Sequence, residues 1–146
     1  MIKFRSIFNL IFLLFIYLTS CAKDVVLKDA EVPSEIKNYI STFFPDCAIS
    51  KAVKDNDGSN DMYEVNLSCG YKLEFNKSKL IIDIDGKNTK LPDNVISSKL
   101  RNYVQTHYPS NYIVGWEIQN KKQKLSLNSD IDLIFDMQDN FVRIDD

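Results

Sequence analysis

The chain has 146 residues, room for one ordinary domain or two very small ones. Its make-up (45% hydrophobic, 26% charged, 4 Gly and 4 Pro) is that of a folded protein. The formal charge is −2 and no basic stripe runs along the chain, which excludes nucleic acid as a partner.

Lys3 and Arg5 open the sequence and lead into an apolar run, residues 7–18. As a helix this run reaches about 18 Å, short of the ~30 Å hydrocarbon layer, so residues 1–20 read as an export signal rather than a membrane span. Leu18-Thr19-Ser20-Cys21 follows and resembles a bacterial lipobox. The resemblance implies that Cys21 is lipidated, becomes the new N-terminus and holds the protein on a membrane. Residues 21–31 read as a short tether, in which Lys23-Asp24 resembles part of the surface-export signal of some Bacteroidetes lipoproteins. The expected location is the cell envelope, periplasmic or surface-exposed on the outer membrane.

Two repeats come next, over residues 32–90 and 91–146. In the first, Ile36, Tyr39, Ile40, Phe43 and Phe44 form one helical stripe, and Pro45 should stop the helix near Phe43. Strands follow. "AISKAVK" leads through "DNDGSND" to an alternating pair with Tyr63, Val65, Leu67 and Tyr71, Leu73, Phe75, turned by Ser68-Cys69-Gly70. Leu80, Ile82 and Ile84 then form one side of a further strand. In the second repeat Leu100, Tyr103, Val104, His107 and Tyr108 occupy the equivalent stripe, in a run between prolines long enough for about one and a half extra turns. "YIVGWEIQ" and "NKKQ" stand for the first hairpin, then Leu125 and Leu127, then Ile131, Leu133 and Phe135, then Val142 and Ile144. The expected fold is α+β: two tandem repeats, each one helix packed on a four-stranded antiparallel sheet, joined as one continuous sheet.

Pro33, Ile36, Tyr39, Ile40, Phe44, Pro45, Ile49, Tyr63, Glu64, Val65, Leu67, Gly70, Leu73, Glu74 and Phe75 carry a pattern similar to the PepSY-like, beta-lactamase-inhibitor-like domain of Bacteroidetes secreted proteins. The second repeat departs from it where Gln123 replaces the Tyr and Asp130 the Gly. The resemblance implies a scaffold related to a secreted inhibitor that binds enzymes with its open sheet face. It carries no catalytic residue.

The residues themselves point the same way. His107 is the only histidine and lies on the helix stripe, so it reads as structural, and no Ser-His or Cys-His pair is expected. "DNDGSND" aligns Asp57, Ser59 and Asp61 with calcium-loop ligands, but Met62 stands where such a loop needs Gly, and a solvated hairpin is the plainer reading. No cofactor or metal is expected. Pairing the first hairpin as Ile49 with Leu67 and Val53 with Tyr63 sets Cys47 opposite Cys69, a disulfide candidate in an oxidising compartment. The same pairing in the second repeat, Ile113 with Leu127, turns Tyr112, Val114 and Trp116 away from the helix, with Ile134 and Phe141 beside them. A one-residue slip would bury Trp116 and Val114 instead.

The function expected is a lipid-anchored, extracytoplasmic, non-enzymatic module that binds another envelope or secreted protein, such as a peptidase or other hydrolase. Tyr112, Trp116, Ile134 and Phe141 are its candidate contacts. One alternative is a metal-dependent small-ligand binder or enzyme using the acidic strand Asp130, Asp132 and Asp136. The other is a structural subunit of an envelope complex.

Overall fold

The computed structural model describes residues 24–55 and 62–145. Cys21, the export signal and residues 56–61 of the "DNDGSND" loop, with Asp57, Ser59 and Asp61, lie outside the described residues. A single antiparallel sheet of nine strands dominates, in the order β1 to β9 without a crossover. The strands are β1 (Val25–Leu27), β2 (Ile49–Asp55), β3 (Met62–Leu67), β4 (Lys72–Phe75), β5 (Ile81–Asp85), β6 (Ile113–Gln119), β7 (Lys122–Leu127), β8 (Asp132–Asp136) and β9 (Phe141–Asp145). Helix α1 (Ser34–Phe43) precedes β2 and helix α2 (Ser98–His107) precedes β6.

The class is α+β, with the two repeats sharing one sheet. Two features differ from the sequence reading. Val25–Leu27 is not tether: it pairs antiparallel with Ala52–Lys54 and adds a ninth strand at the edge. The second helix is no longer than the first, at 10 residues each. The extra residues after Pro92 form a 3-10 turn, Asp93–Val95, and then Ser97, whose hydroxyl accepts from the Leu100 N–H and starts α2 late.

One face of the sheet forms the core. Ile36 and Ile40 of α1, and Leu100 and Val104 of α2, are buried against Val65, Leu73, Phe75, Ile84, Leu125, Leu133 and Phe135. Tyr39 meets Phe75 edge-on at 5.5 Å, and Tyr103 meets Phe135 the same way at 5.1 Å, so the helices dock through equivalent aromatic pairs. Gly70 takes φ 96° in the β3–β4 turn, and Asp130 takes φ 60° at the matching place. The departure from glycine is thus a change of residue within one turn geometry.

Four register shifts decide which side chains reach this core. Ile49 faces Leu67 as the first hairpin predicts, but the partner of Lys51 is Asn66, leaving Ser50 extra. Val114 is extra in the same way on β6. Ile82 on β5 and Val142 on β9 are the extra residues of the other two shifts. Each is one added residue on one strand, and one residue turns everything beyond it to the opposite face. Val53 therefore faces Glu64 rather than Tyr63. Ile81 and Ile84, not Leu80 and Ile82, lie opposite Phe75 and Leu73. Ahead of the shift the hairpin holds its register, and Cys47 is disulfide-bonded to Cys69 with their Cα atoms 5.5 Å apart.

Candidate protein-binding face

Away from the helices, the pairing sets Glu64 opposite Glu74, Glu74 opposite Asp83, and Asp83 opposite Glu117. Four carboxylates thus stand shoulder to shoulder across β3 to β6, and Lys124, Ile134 and Arg143 continue the row. Like charges directly opposite one another destabilise a sheet. Lys72 relieves one end, 3.1 Å from Glu64 and 2.8 Å from Glu74, and Lys124 the other, 3.0 Å from Glu117. Burial would raise the Glu64 carboxyl, yet hydrogen bonds from Lys72 and Asn66 bring it below its ordinary value. The hydrogen bond to Glu74 in turn raises Lys72.

Asp83 sits between these pairs. Burial, with Glu74, Glu117 and Asp85 nearby, pushes its carboxyl up to about 6. The neighbouring row along the strands runs Asp85, Gly115, Ser126, Asp132. Gly115 has no side chain to fill its place, and a Cβ there would come within 3.2 Å of Ser126. The result is an open depression of about 420 Å³ bordered by Asp83, Asp85, Glu117, Lys124 and Asp132.

The raised Asp83 has a consequence for stability. Unfolded, the group titrates near its ordinary ~3.9. Between that value and about 6 the folded chain binds more protons than the unfolded one. Stability therefore falls as pH rises through this window, and the cost is complete above it. Asp83→Asn is expected to be more stable than wild type above about pH 6, with the gap closing as the pH drops toward about 4. Thermal melts of both proteins across that range check this, and a gap that does not change with pH would assign the titration to another group.

The four contacts expected from the sequence do not form one patch. The β6 shift places Trp116 between Ile84 and Leu125 on the helix face, where its Nε1 donates to Gln123 Oε1 at 3.0 Å. The β9 shift places Phe141 opposite Phe135, on the same face, stacked on Tyr103 of α2 at 4.9 Å. Both were expected on the open face, and both belong to the helix side. Tyr112 is exposed just ahead of β6 and borders a cleft of about 340 Å³ with Arg101 and Val104 of α2. Ile134 alone lies in the open-face row, buried between Lys124 and Arg143.

Gln123, which stands where the first repeat has Tyr63, belongs to this rearrangement. Its Nε2 donates to the Asp136 carbonyl at 3.0 Å and to Asp139 Oδ1 at 2.6 Å. With Trp116 where the first repeat has Ala52, the second repeat exchanges a small–aromatic pair for an aromatic–amide pair, and the amide serves the indole N–H.

The acidic strand does not converge either. Asp130 makes the turn, Asp132 lies 3.8 Å from Lys124, and Asp136 accepts from the Gln138 and Asn140 backbone N–H groups and from Asn140 Nδ2. These backbone bonds hold Asp136 below the usual carboxylate range. Among the described residues no three His, Cys, Asp or Glu side chains are grouped to hold a metal. His107 is exposed, stacked on Tyr103 at 4.0 Å, with Nδ1 2.9 Å from the Tyr103 carbonyl.

The acid row was written in the sequence as one acid between two apolar residues: Tyr-Glu64-Val, Leu-Glu74-Phe, Ile-Asp83-Ile and Trp-Glu117-Ile. Only the strand order and the shifts reveal that the four acids are neighbours.

Comparison with known proteins follows the same lines. Residues 18–83 and 61–143 each match the family described as beta-lactamase-inhibitor-like, PepSY-like. No curated protein matches the chain. A DUF2874-family protein from Bacteroides vulgatus, provisionally described as periplasmic, is 27% identical, with a TM-score of 0.78 over 86% of this chain and 99% of its own. A Bacteroides thetaiotaomicron protein, provisionally described as calcium-regulated and periplasmic, is 28% identical, with a TM-score of 0.79 over 84% and 97%. A second Bacteroides vulgatus protein, also provisionally described as periplasmic and of unknown function, is 26% identical, with a TM-score of 0.79 over 85% and 100%.

Proposed function

The chain belongs to the beta-lactamase-inhibitor-like, PepSY-like family and is an extracytoplasmic protein, and from that premise we propose that it is a lipid-anchored, non-catalytic module that binds another envelope or secreted protein with its open sheet face. The observation that carries this reading is the row Glu64, Glu74, Asp83 and Glu117. It gathers like charge on the one broad face that the helices leave uncovered, at a cost to the sheet. A basic patch on a partner would offset that repulsion, speed the encounter and fix its orientation. A hydrolase inhibited in this way is the most specific form of the proposal.

The double variant Asp83→Asn/Glu117→Gln removes two central charges with little change in shape. It is expected to bind a partner captured from envelope extracts at least tenfold more weakly than wild type, without loss of thermal stability. Capture that is unchanged by the substitution and insensitive to salt would end the charged-face reading.

A second reading has one observation in its favour: a structural relative is described as calcium-regulated. Here the open-face carboxylates, which form no three-ligand group among the described residues as they stand, would have to draw together around a cation. Millimolar calcium would then raise the melting temperature of wild type and not of the double variant. An unchanged melting temperature in both leaves the protein partner as the occupant.

A further inference from the structure

The second repeat ends its sheet where the first repeat continues it. In the first repeat β5 gives its outer edge to β6, and Ile84, opposite Trp116, is 0% exposed. β9 stands in the place of β5. Phe75 pairs with Ile81 and Phe135 with Phe141, and each strand then carries one extra residue, Ile82 or Val142. Ile144 is therefore the counterpart of Ile84, yet it is 46% exposed, and Val142 is exposed beside it. No strand covers β9 among the described residues. A bulge often protects a sheet edge from pairing. The one at Val142 does not close this edge, because β5 carries the same bulge and takes β6 just beyond it.

The first repeat also shows which backbone groups of β9 are free. The Gly86 N–H donates to the Val114 carbonyl, so by the alternation of an antiparallel ladder the N–H and C=O of Ile84 also point at β6. Those of Ile144 then point outward from β9. The β9 strand of a second copy can bond to them about a two-fold axis, with Ile144 facing the partner's Ile144. That register sets Arg143 opposite the partner's Asp145, an opposite-charge pair made twice. Moved two residues either way, the pairing sets Arg143 against the partner's Arg143, or Asp145 against the partner's Asp145. Within one chain Arg143 binds Asp145 along the strand, and across the axis the two pairs interleave into one row. The β1 edge of a second copy is the other strand on offer. Its Val25, Val26 and Leu27 bring no charge to Arg143 and Asp145, and it would chain copies head to tail rather than close a pair.

We infer that the chain forms a symmetric dimer through β9, with Ile144 at the axis and Arg143 facing the partner's Asp145. The sheet then runs unbroken through nine strands from each copy. The new ladder has the length of the β5–β6 ladder, three residues from each strand. An interface built on so short a ladder belongs to the small, reversible class, so the test traps it covalently.

The test is cysteine cross-linking of the full chain in its own envelope. Ile144→Cys places a thiol at the axis, where facing residues of a bonded pair have Cα atoms about 5.5 Å apart, within disulfide reach. Cys47 and Cys69 are already bonded to each other, and wild type run alongside reports any dimer made through Cys21. Under a mild oxidant, covalent dimer from Ile144→Cys should exceed that from Val26→Cys, an exposed site on the opposite edge, at least fivefold. Adding Arg143→Glu or Asp145→Lys to Ile144→Cys should each cut the dimer at least fivefold. Coexpressing those two chains should restore it, because each then meets the opposite charge on its partner. No dimer above wild type, or equal dimer at positions 26 and 144, overturns the inference. So does cross-linking chiefly between Ile144→Cys and Val26→Cys chains, which is the head-to-tail contact, or a dimer indifferent to the charge changes.

Discussion

Trp116→Ala is expected to destabilise the fold by about 3 kcal/mol, a core-sized effect from a residue that its strand pattern places on the surface. The indole lies in the row Ile84, Trp116, Leu125, and both flanking residues are fully buried. Truncation opens a void beneath the helices. It also strips the donor from Gln123 Oε1, whose residue is only 7% exposed, and an orphaned buried acceptor costs ~1–3 kcal/mol by itself. Trp116→Phe keeps most of the volume and loses only the hydrogen bond, so it should fall between the two. Denaturant midpoints of the three proteins measure this. An alanine variant with the wild-type midpoint would return Trp116 to the surface and contradict the β6 register.

The second large effect is expected from the Cys47–Cys69 bridge. It closes a loop with a sequence separation of 22, and constraining the unfolded chain over such a loop stabilises by about 3 kcal/mol. Reduction, or Cys47→Ser/Cys69→Ser, should lower the melting temperature by on the order of 10 °C. The second repeat has Asn111 and Ser129 at the matching positions and relies on hydrogen bonds to Asn128, whose Oδ1 accepts from Asn111 Nδ2 and from the Tyr112 N–H. The bridge is therefore an addition to the first repeat. The denatured, unreduced mature chain should show no reactive thiol from this pair; two would refute the bridge. Coincident melts with and without reductant would show that it contributes nothing.

What was legible in the residues and what was not divides along a physical line. Helix stripes were legible because a helix has one period and one face: Ile36, Ile40 and Phe44 are buried as their spacing demands. Turn chemistry was legible at Gly70, whose positive φ is local information. The disulfide was legible because Cys47 and Cys69 lie on the Ile49–Leu67 side of the first shift, where the pairing counted from the sequence holds. Side chains beyond the shifts were not. Ser50, Ile82 and Val142 are ordinary strand residues with no glycine or proline beside them, and only Val114, followed by Gly115, carries such a mark. Yet each inverts the faces that follow. Trp116 and Phe141 moved to the helix side for this reason, and the β6 shift brought Glu117 onto the open face beside Asp83. Val25–Leu27 was missed because three residues beside a charged segment carry no measurable alternation, and only pairing with β2 makes them a strand.

The unbroken strand order also bears on how the molecule reaches its native state. Each strand pairs with the one before it and the one after it, and most ladders are hairpins that close over short turns. Contacts of that kind lose little chain entropy before they form, so each repeat is expected to collapse quickly for a sheet-rich protein. Only β1–β2 and β5–β6 must wait for a helix to fold between their strands. The β5–β6 ladder joins the two halves through Asp83, Ile84 and Asp85 opposite Glu117, Trp116 and Gly115, with the Gly86 N–H donating to the Val114 carbonyl and the Leu91 N–H to the Ile113 carbonyl beyond them. Because this ladder forms only after α2 has folded between its strands, it is the seam where the sheet should close last and part first.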